Sequence, residues 1–402
     1  MPDNRPALAA WLAFLAATLF FLFEFVARIS PSLAPDDIAK WYGLGEAGFS
    51  TLSSLFFWVY APMQIAVGLA LDRFGARRLV LPAIALCAAG VALFTLTPVP
   101  VIGGIGRMLT GLGASFAFVG ALYVVNHRFP AGWFAVLSGA VNAIGMLGTA
   151  IGAVWLSDVI AGAGWRPVFF TVALCGAGIF ALAIFTLKDR ATGTPAPGGA
   201  RQALAALTRD GRVWLIAILG ALYYMPVNVY GGLWGKTEIM HDRGLPDASA
   251  ELAVSMIFWG MAAGSVGAGA LSDRLGHRKF ILFAGALGSA ASYAAALFLP
   301  GLSLVPLAVL LFLGGLFGGA QMLTFAMAKE GHPAAISGTI IAFVNMIGIG
   351  GALIFQPLVG WMIQHAGGTF FTAMLTMPGC VLAAALLTLP VREMRHPDHA
   401  AD

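Results

Sequence analysis

The sequence predicts an all-α membrane protein of twelve transmembrane helices in two pseudo-symmetric six-helix bundles. Three observations lead there. Hydrophobic residues make up 59% of the 402 and charged ones only 10%, whereas a soluble globule carries about a quarter charged residues. The apolar residues gather into runs of roughly the twenty that cross a bilayer. A charged, glycine-bearing string, GLALDRFGARR at 68–78, returns as GALSDRLGHRK at 269–279, so the chain is an internal duplication.

In order, the apolar runs fall near 8–30, 47–70, 79–97, 101–126, 134–160 and 166–188, then near 212–236, 250–271, 279–299, 302–329, 335–363 and 370–391. The first is long, lacks a small-residue cleavage pattern and carries Glu24 and Arg28, so it reads as a span rather than a signal peptide. Between the halves, a stretch with TGTPAPGG and several charges cannot bury itself and reads as a flexible cytosolic tether. The domains are therefore 1–188, a linker at 189–211, and 212–402. Loops on the far side are short apart from 31–46 and 237–249. Gly148 and Gly152, Gly260 and Gly264, and Gly315 and Gly319 are four apart, a spacing that lets helices approach closely in lipid. Pro62, Pro226, Pro306 and Pro357 fall within spans, where proline kinks a helix and frees carbonyls.

Orientation follows from the basic residues. Of the 22 Lys and Arg, only Lys40, Arg166, Lys236 and Arg243 fall on one side, and Arg28 and Arg107 lie within spans. The rest collect on the other side, which places both termini in the cytosol. The formal charge of +4 is loop-borne and reports topology rather than nucleic-acid binding. Cys87, Cys175 and Cys380 are single and far apart, with neither metal spacing nor a disulfide frame. No Walker loop, dinucleotide fingerprint, nucleophile elbow or HExxH string occurs, so neither an enzyme nor a cofactor is expected.

The repeated string, G-x-x-x-D-R-x-G-x-R-R, resembles the signature loop between the second and third helices of the major facilitator superfamily, and its return in the second half is that family's hallmark. LSG at 137–139 and ISG at 336–338 repeat likewise, each followed by N-x-I-G, at 142–145 and 345–348. RMLTGLGA at 107–114 resembles the family's fourth-helix R-x-x-x-G-x-G-A pattern, with Thr110 where a glutamine is usual; the resemblance associates Arg107 with proton coupling. FEFVARISPS at 23–32 and LFFWVYAPMQ at 55–64 look most like anion:cation symporters and phagosomal nutrient transporters. The resemblance implies two bundles around a central cavity, alternating access, a monomer in the cytoplasmic membrane, and a latch of Gly68, Asp72, Arg73, Gly75 and Arg77 with Asp273, Arg274, Gly276 and Arg278. Read from their chemistry alone, Asp72 and Arg73 cap helix ends, Gly75 allows the reversal, and Arg77 and Arg78 are also explained by a tight positive-inside turn.

Ionisable residues inside a membrane cost free energy and mark function. Glu24, Arg28 and Arg107 are the three well within spans. Glu24 and Arg28 share a helix face, and Arg107 lies at a similar depth to Glu24, so it is expected to approach both. The trio suits a small anion, with Arg supplying a bidentate fork; equally, the three charges neutralise one another and glue two helices together. Glu24 is the expected proton-coupling site together with Arg107. The second half is expected to hold no buried acid, offering instead Tyr223, Tyr224, Asn228, Tyr230, Trp234, Gln321, Thr324, Asn345 and Gln356 to the uncharged part of a solute. Tyr60, Gln64 and Tyr123 add to the first half's wall. The expected function is proton-coupled symport of a small anionic or zwitterionic, amino-acid-like solute. Open alternatives are an efflux antiporter, disfavoured because GMLGTAIG at 145–152 lacks G-P-x-x-G-G, a uniporter of a small peptide or metabolite, and a non-transporting sensor.

Overall fold

A computed structural model of the chain describes residues 7–188, 204–205, 207–365 and 370–394; most of the predicted linker and both chain ends lie outside the described residues. All regular structure among them is helical. The first half runs α1 (Leu8–Ile29), α2 (Pro35–Tyr42), α3 (Glu46–Phe74), α4 (Ala76–Leu96), α5 (Pro100–Ala114), α6 (Ala117–Arg128), α7 (Phe134–Ala163) and α8 (Trp165–Thr186). The second half runs α9 (Gly211–Tyr223), a π-helical segment (Pro226–Trp234), α10 (Gly235–Arg243), α11 (Asp247–Leu275), α12 (Arg278–Phe298), α13 (Leu304–Gly318), α14 (Leu323–Lys329), α15 (Ser337–His365), α16 (Phe371–Met374) and α17 (Thr376–Thr388). They make twelve helical stretches long and apolar enough to cross a membrane. The breaks at 97–99 and 299–303 fall within about two residues of the gaps expected at 98–100 and 300–301.

The chain forms two compact units. One comprises Met1–Ala131, Leu147–Leu204 and Pro333–Ala342; the other comprises Gly132–Met146, Ala205–His332 and Phe343–Asp402. Thus α7 opens in the second unit and continues in the first, while α15 does the reverse.

Small residues govern the closest packing. A Cβ on Gly260 or Gly264 of α11 would sit 2.0 or 1.8 Å from the carbonyl oxygens of Phe312 and Leu316. One on Gly315 would meet Ile257 O at 2.2 Å. Backbone touches backbone here, as four-residue glycine spacing requires. Gly148 meets only the Leu22 side chain, and the surroundings of Gly152 lie outside what is described.

The prolines act unequally. Pro62 and Pro357 lie inside helices that stay helical on both sides. Pro306 sits in the first turn of α13, where no N–H partner is needed. Pro226 coincides with a change of winding, at the start of the π-helical segment. The two longer loops also contain helices: α2 ends on Gly43 (φ 63°) and α10 on Gly244 (φ 64°), left-handed caps that suit glycine.

Candidate functional site

The first unit's charged cluster is built by a proline. In α1 the carbonyl of Ala27 would normally accept from the N–H four residues on, but that residue is Pro31, which has none. Arg107 on α5 fills the gap: Nη1 donates to Ala27 O at 3.0 Å, and Nη2 donates to Arg28 O at 3.4 Å and Ser53 O at 3.3 Å. Its guanidinium also lies over Phe56, 5.1 Å from the ring centroid, and Phe56 stacks on Tyr60 at 5.4 Å. Of the expected approach of Arg107 to both Glu24 and Arg28, the structure shows a contact with the Arg28 backbone and, among the described residues, no ion pair with Glu24. Among the described residues Glu24 has one ion contact, Arg28 Nε to Oε1 at 3.4 Å, and neither carboxylate oxygen accepts a hydrogen bond. The orphaned Ala27 oxygen takes Arg107 in place of the carboxylate.

The two members of the remaining pair differ in access. Glu24 is fully buried, while the Arg28 side chain is 19% exposed, with its guanidinium 3.9 Å above the Phe25 ring. Arg28 is thus the more accessible of the two, with a buried counter-ion beside it. Of the other first-half candidates, Gln64 is buried with Nε2 3.5 Å from Ser115 O, and Tyr123 stacks on His127 at 3.9 Å.

In the second unit, Tyr223 donates to Phe317 O at 2.7 Å, so its hydroxyl is used in helix packing. Gln321 and Asn345 are buried and Tyr224 is half-buried. Asn228 lies in the π-helical segment; its backbone oxygen accepts from Gln356 Nε2 at 2.9 Å, while its own Nδ2 is buried without a hydrogen-bond partner among the described residues. The expectation of no buried acid here is corrected, because Glu238 is 2% exposed. The sequence hid it: Glu238 follows a run of glycines and sits among His, Asp and Arg, which reads as a loop.

The repeated loops have a shared geometry. Asp72, near the end of α3, accepts from the backbone N–H of Gly338 (2.8 Å) and Thr339 (2.7 Å) and from Thr339 Oγ1 (2.6 Å), in the first turn of α15. Asp273, near the end of α11, accepts from Val136 N at 3.3 Å, in the first turn of α7. Both place a carboxylate on the positive end of a helix. Glycine makes the approach possible: a Cβ on Gly68 would meet Gly338 O at 2.7 Å, and one on Gly269 would meet Ala135 O at 2.7 Å. Gly75 (φ 80°) and Gly276 (φ 68°) turn the chain. Arg77 Nη1 donates to Ile184 O (3.0 Å) and Leu187 O (2.6 Å), satisfying the carbonyl end of α8. Arg73 and Arg274 are exposed.

The second unit adds a charge network. Arg278 pairs with Asp273 at 3.5 Å and with Glu330, and Arg212 reaches Glu330 at 3.7 Å. Burial holds the Glu330 carboxyl above the usual carboxylate range, opposed by Arg278 and Arg212. Nothing in the sequence marks Glu330, which closes a helix beside Lys329, where a charge is usually solvated.

Comparison with known proteins agrees with this architecture. The family described as Major Facilitator Superfamily matches residues 8–237 and 216–402. Among curated relatives, the chain is 24% identical to the Probable sulfoacetate transporter SauU of Cupriavidus necator, over 95% of this chain and 94% of that one. It is 27% identical to the Membrane sensor protein UhpC of Salmonella typhimurium, over 94% and 90%. Among solved structures, FucP of E. coli, in the outward conformation, gives a TM-score of 0.74 at 16% identity, covering 96% of this chain and all of that one. That likeness shows the fold.

Proposed function

We propose, from the premise that this chain belongs to the Major Facilitator Superfamily of transporters, that it carries a small organic anion across the cytoplasmic membrane together with protons. The observation that carries the reading is the Glu24–Arg28 couple: a fully buried carboxylate whose one ion contact among the described residues is an arginine with a partly exposed side chain. With Glu24 ionised, Arg28 is neutralised internally. With Glu24 protonated, Arg28 has an uncompensated charge and a planar fork for a carboxylate or sulfonate. Anion and proton then enter together because each removes the obstacle to the other. Arg107 positions the pair by holding the backbone of Ala27 and Arg28. Relatives named for sulfoacetate, nitrate/nitrite and gentisate support an anionic cargo.

In this reading residues 1–188 and 212–402 act as the two transport bundles joined by the 189–211 tether, both termini are cytosolic, and the protein works as a monomer. Asp72 and Asp273, seated on the first turns of α15 and α7, are the latch that alternating access makes and breaks.

The test is uptake by purified protein in liposomes, offering labelled sulfoacetate, benzoate, a dicarboxylate and a neutral sugar with the outside acidic. Uptake of an anion that rises with the pH gradient and vanishes in Arg28→Ala is expected. Efflux-only activity, or uptake of the neutral sugar alone, would overturn it.

A further inference from the structure

The second unit's buried acid ties an unusually wound stretch of helix to a neighbouring span. Glu238 on α10 accepts a hydrogen bond from Tyr230 Oη at 2.6 Å and pairs with Arg243 Nε at 3.0 Å. Arg243 Nη2 in turn donates to Ala296 O at 2.8 Å, in the last turn of α12. Tyr230 sits in the middle of the π-helical segment, its ring lying against Gly235, where a Cβ would come within 2.6 Å of it.

The duplication shows what is special here. At the matching place in the first half, Tyr42 at the end of α2 donates to Phe94 O at 2.5 Å, near the end of α4. Both halves therefore tie a short helix, closed by a left-handed glycine, to the end of the half's third span. In the first half the tie is a phenol, joined by Arg166 of α8, which donates to Thr95 O at 3.0 Å and lies over Trp41 of α2, with no carboxylate in these hydrogen bonds. In the second it is a guanidinium, and a carboxylate carries it back into the seventh span.

The seventh span is where such a tie matters. π-Helical winding usually persists for a single turn and occurs at functional sites, yet here it covers nine residues. Rewinding to α-helical hydrogen bonds would lengthen the segment and turn everything beyond it. Two further side-chain hydrogen bonds join the segment to α15: Gln356 Nε2 donates to Asn228 O, and Trp234 Nε1 donates to Gln356 O at 3.3 Å. Among the described residues no other cation pairs with Glu238. Lys236 is engaged by Asp247 at 2.9 Å and Glu251 at 3.1 Å on α11, and His241 pairs with Asp242.

We propose that Glu238 is a positioning residue of the transport cycle: by holding Tyr230 and Arg243 at once, it fixes the seventh span in its π-wound form and so sets where Asn228 and Trp234 stand. The proposal uses neither Arg28 nor the identity of the solute, so it stands or falls separately from the anion reading.

The test uses the full-length protein in nanodiscs. Hydrogen–deuterium exchange over 226–243 is compared for wild type, Glu238→Gln, Arg243→Gln and the double variant. Glutamine keeps the shape and loses the charge. Exchange in that stretch is expected to quicken about tenfold in each single variant and no further in the double, with first-half peptides unchanged. In a background with Cys87, Cys175 and Cys380 replaced by Ala, labelling of Asn228→Cys by a maleimide should quicken with Glu238→Gln and return most of the way with Glu238→Asp, which restores the charge. Unchanged exchange in Glu238→Gln, loosening spread evenly over α11 and α12, or equal labelling with Gln and Asp would each overturn the proposal. If Glu238→Gln does not yield monodisperse protein, Tyr230→Phe carries the same prediction at about threefold, and no change there overturns it as well.

Discussion

At the scale of single residues, the two arginines near α1 are expected to separate by experiment because their donors are spent differently. Arg107 gives its Nη groups to three backbone oxygens and is 3% exposed. Arg107→Ala leaves the Ala27 carbonyl, which has no helical N–H partner, unpaired in a buried place and should cost about 2 kcal/mol of stability, read as a lowered melting temperature. Arg28→Ala removes a partly exposed group but leaves Glu24 buried without its counter-ion until it takes up a proton, so melting should fall less than for Arg107→Ala while anion uptake falls at least a hundredfold. Arg28→Lys should recover little, since a point charge cannot replace the fork. Equal melting temperatures for the Arg28 and Arg107 variants would contradict this division. Glu24→Gln mimics the protonated state; counterflow exchange of the anion should survive while accumulation driven by a pH gradient is lost. Uphill uptake equal to wild type would place coupling elsewhere.

At the scale of elements, helix ends and helix faces make different predictions. Asp72 accepts three hydrogen bonds from the first turn of α15, and a carboxylate on a helix N-terminus is worth up to about 1 kcal/mol beyond a neutral acceptor. Asp72→Asn should therefore shift the balance between inward- and outward-open forms by about fivefold, measured by cysteine labelling of the two cavity mouths. Identical labelling would leave the loop as a turn without a latch. On the faces, Gly264→Leu drives a side chain into the Leu316 backbone and should cost about 3 kcal/mol or more. Gly267, with nothing within 4 Å of a built Cβ, should accept Ala almost without loss. Thermal unfolding of the two variants makes the comparison, and similar losses would contradict the packing.

At the scale of the whole molecule, coupling has an energetic signature. One proton carried with one monovalent anion moves no net charge, so one pH unit across the membrane, about 1.4 kcal/mol, supports about tenfold accumulation, and an imposed potential adds nothing. A second proton would add about 2.3 kcal/mol per 100 mV. Accumulation measured with and without a valinomycin potential counts the protons.

The sequence by itself determined the class, the twelve spans and the duplication, because a bilayer filters for length and hydrophobicity and leaves little else to choose. It also singled out Gly260, Gly264 and Gly315, whose contacts follow from spacing alone. Partner choice was decided only in three dimensions. Arg107 turned from Glu24 to Ala27 and Arg28 because Pro31 left a carbonyl unpaired, and a buried polar group takes whichever acceptor geometry brings within reach. The proline was legible, but its consequence depended on which helix packed there. Glu238 was hidden for the same reason: its surroundings in the chain are polar, and only the fold that brings Tyr230 and Arg243 around its carboxylate buries it.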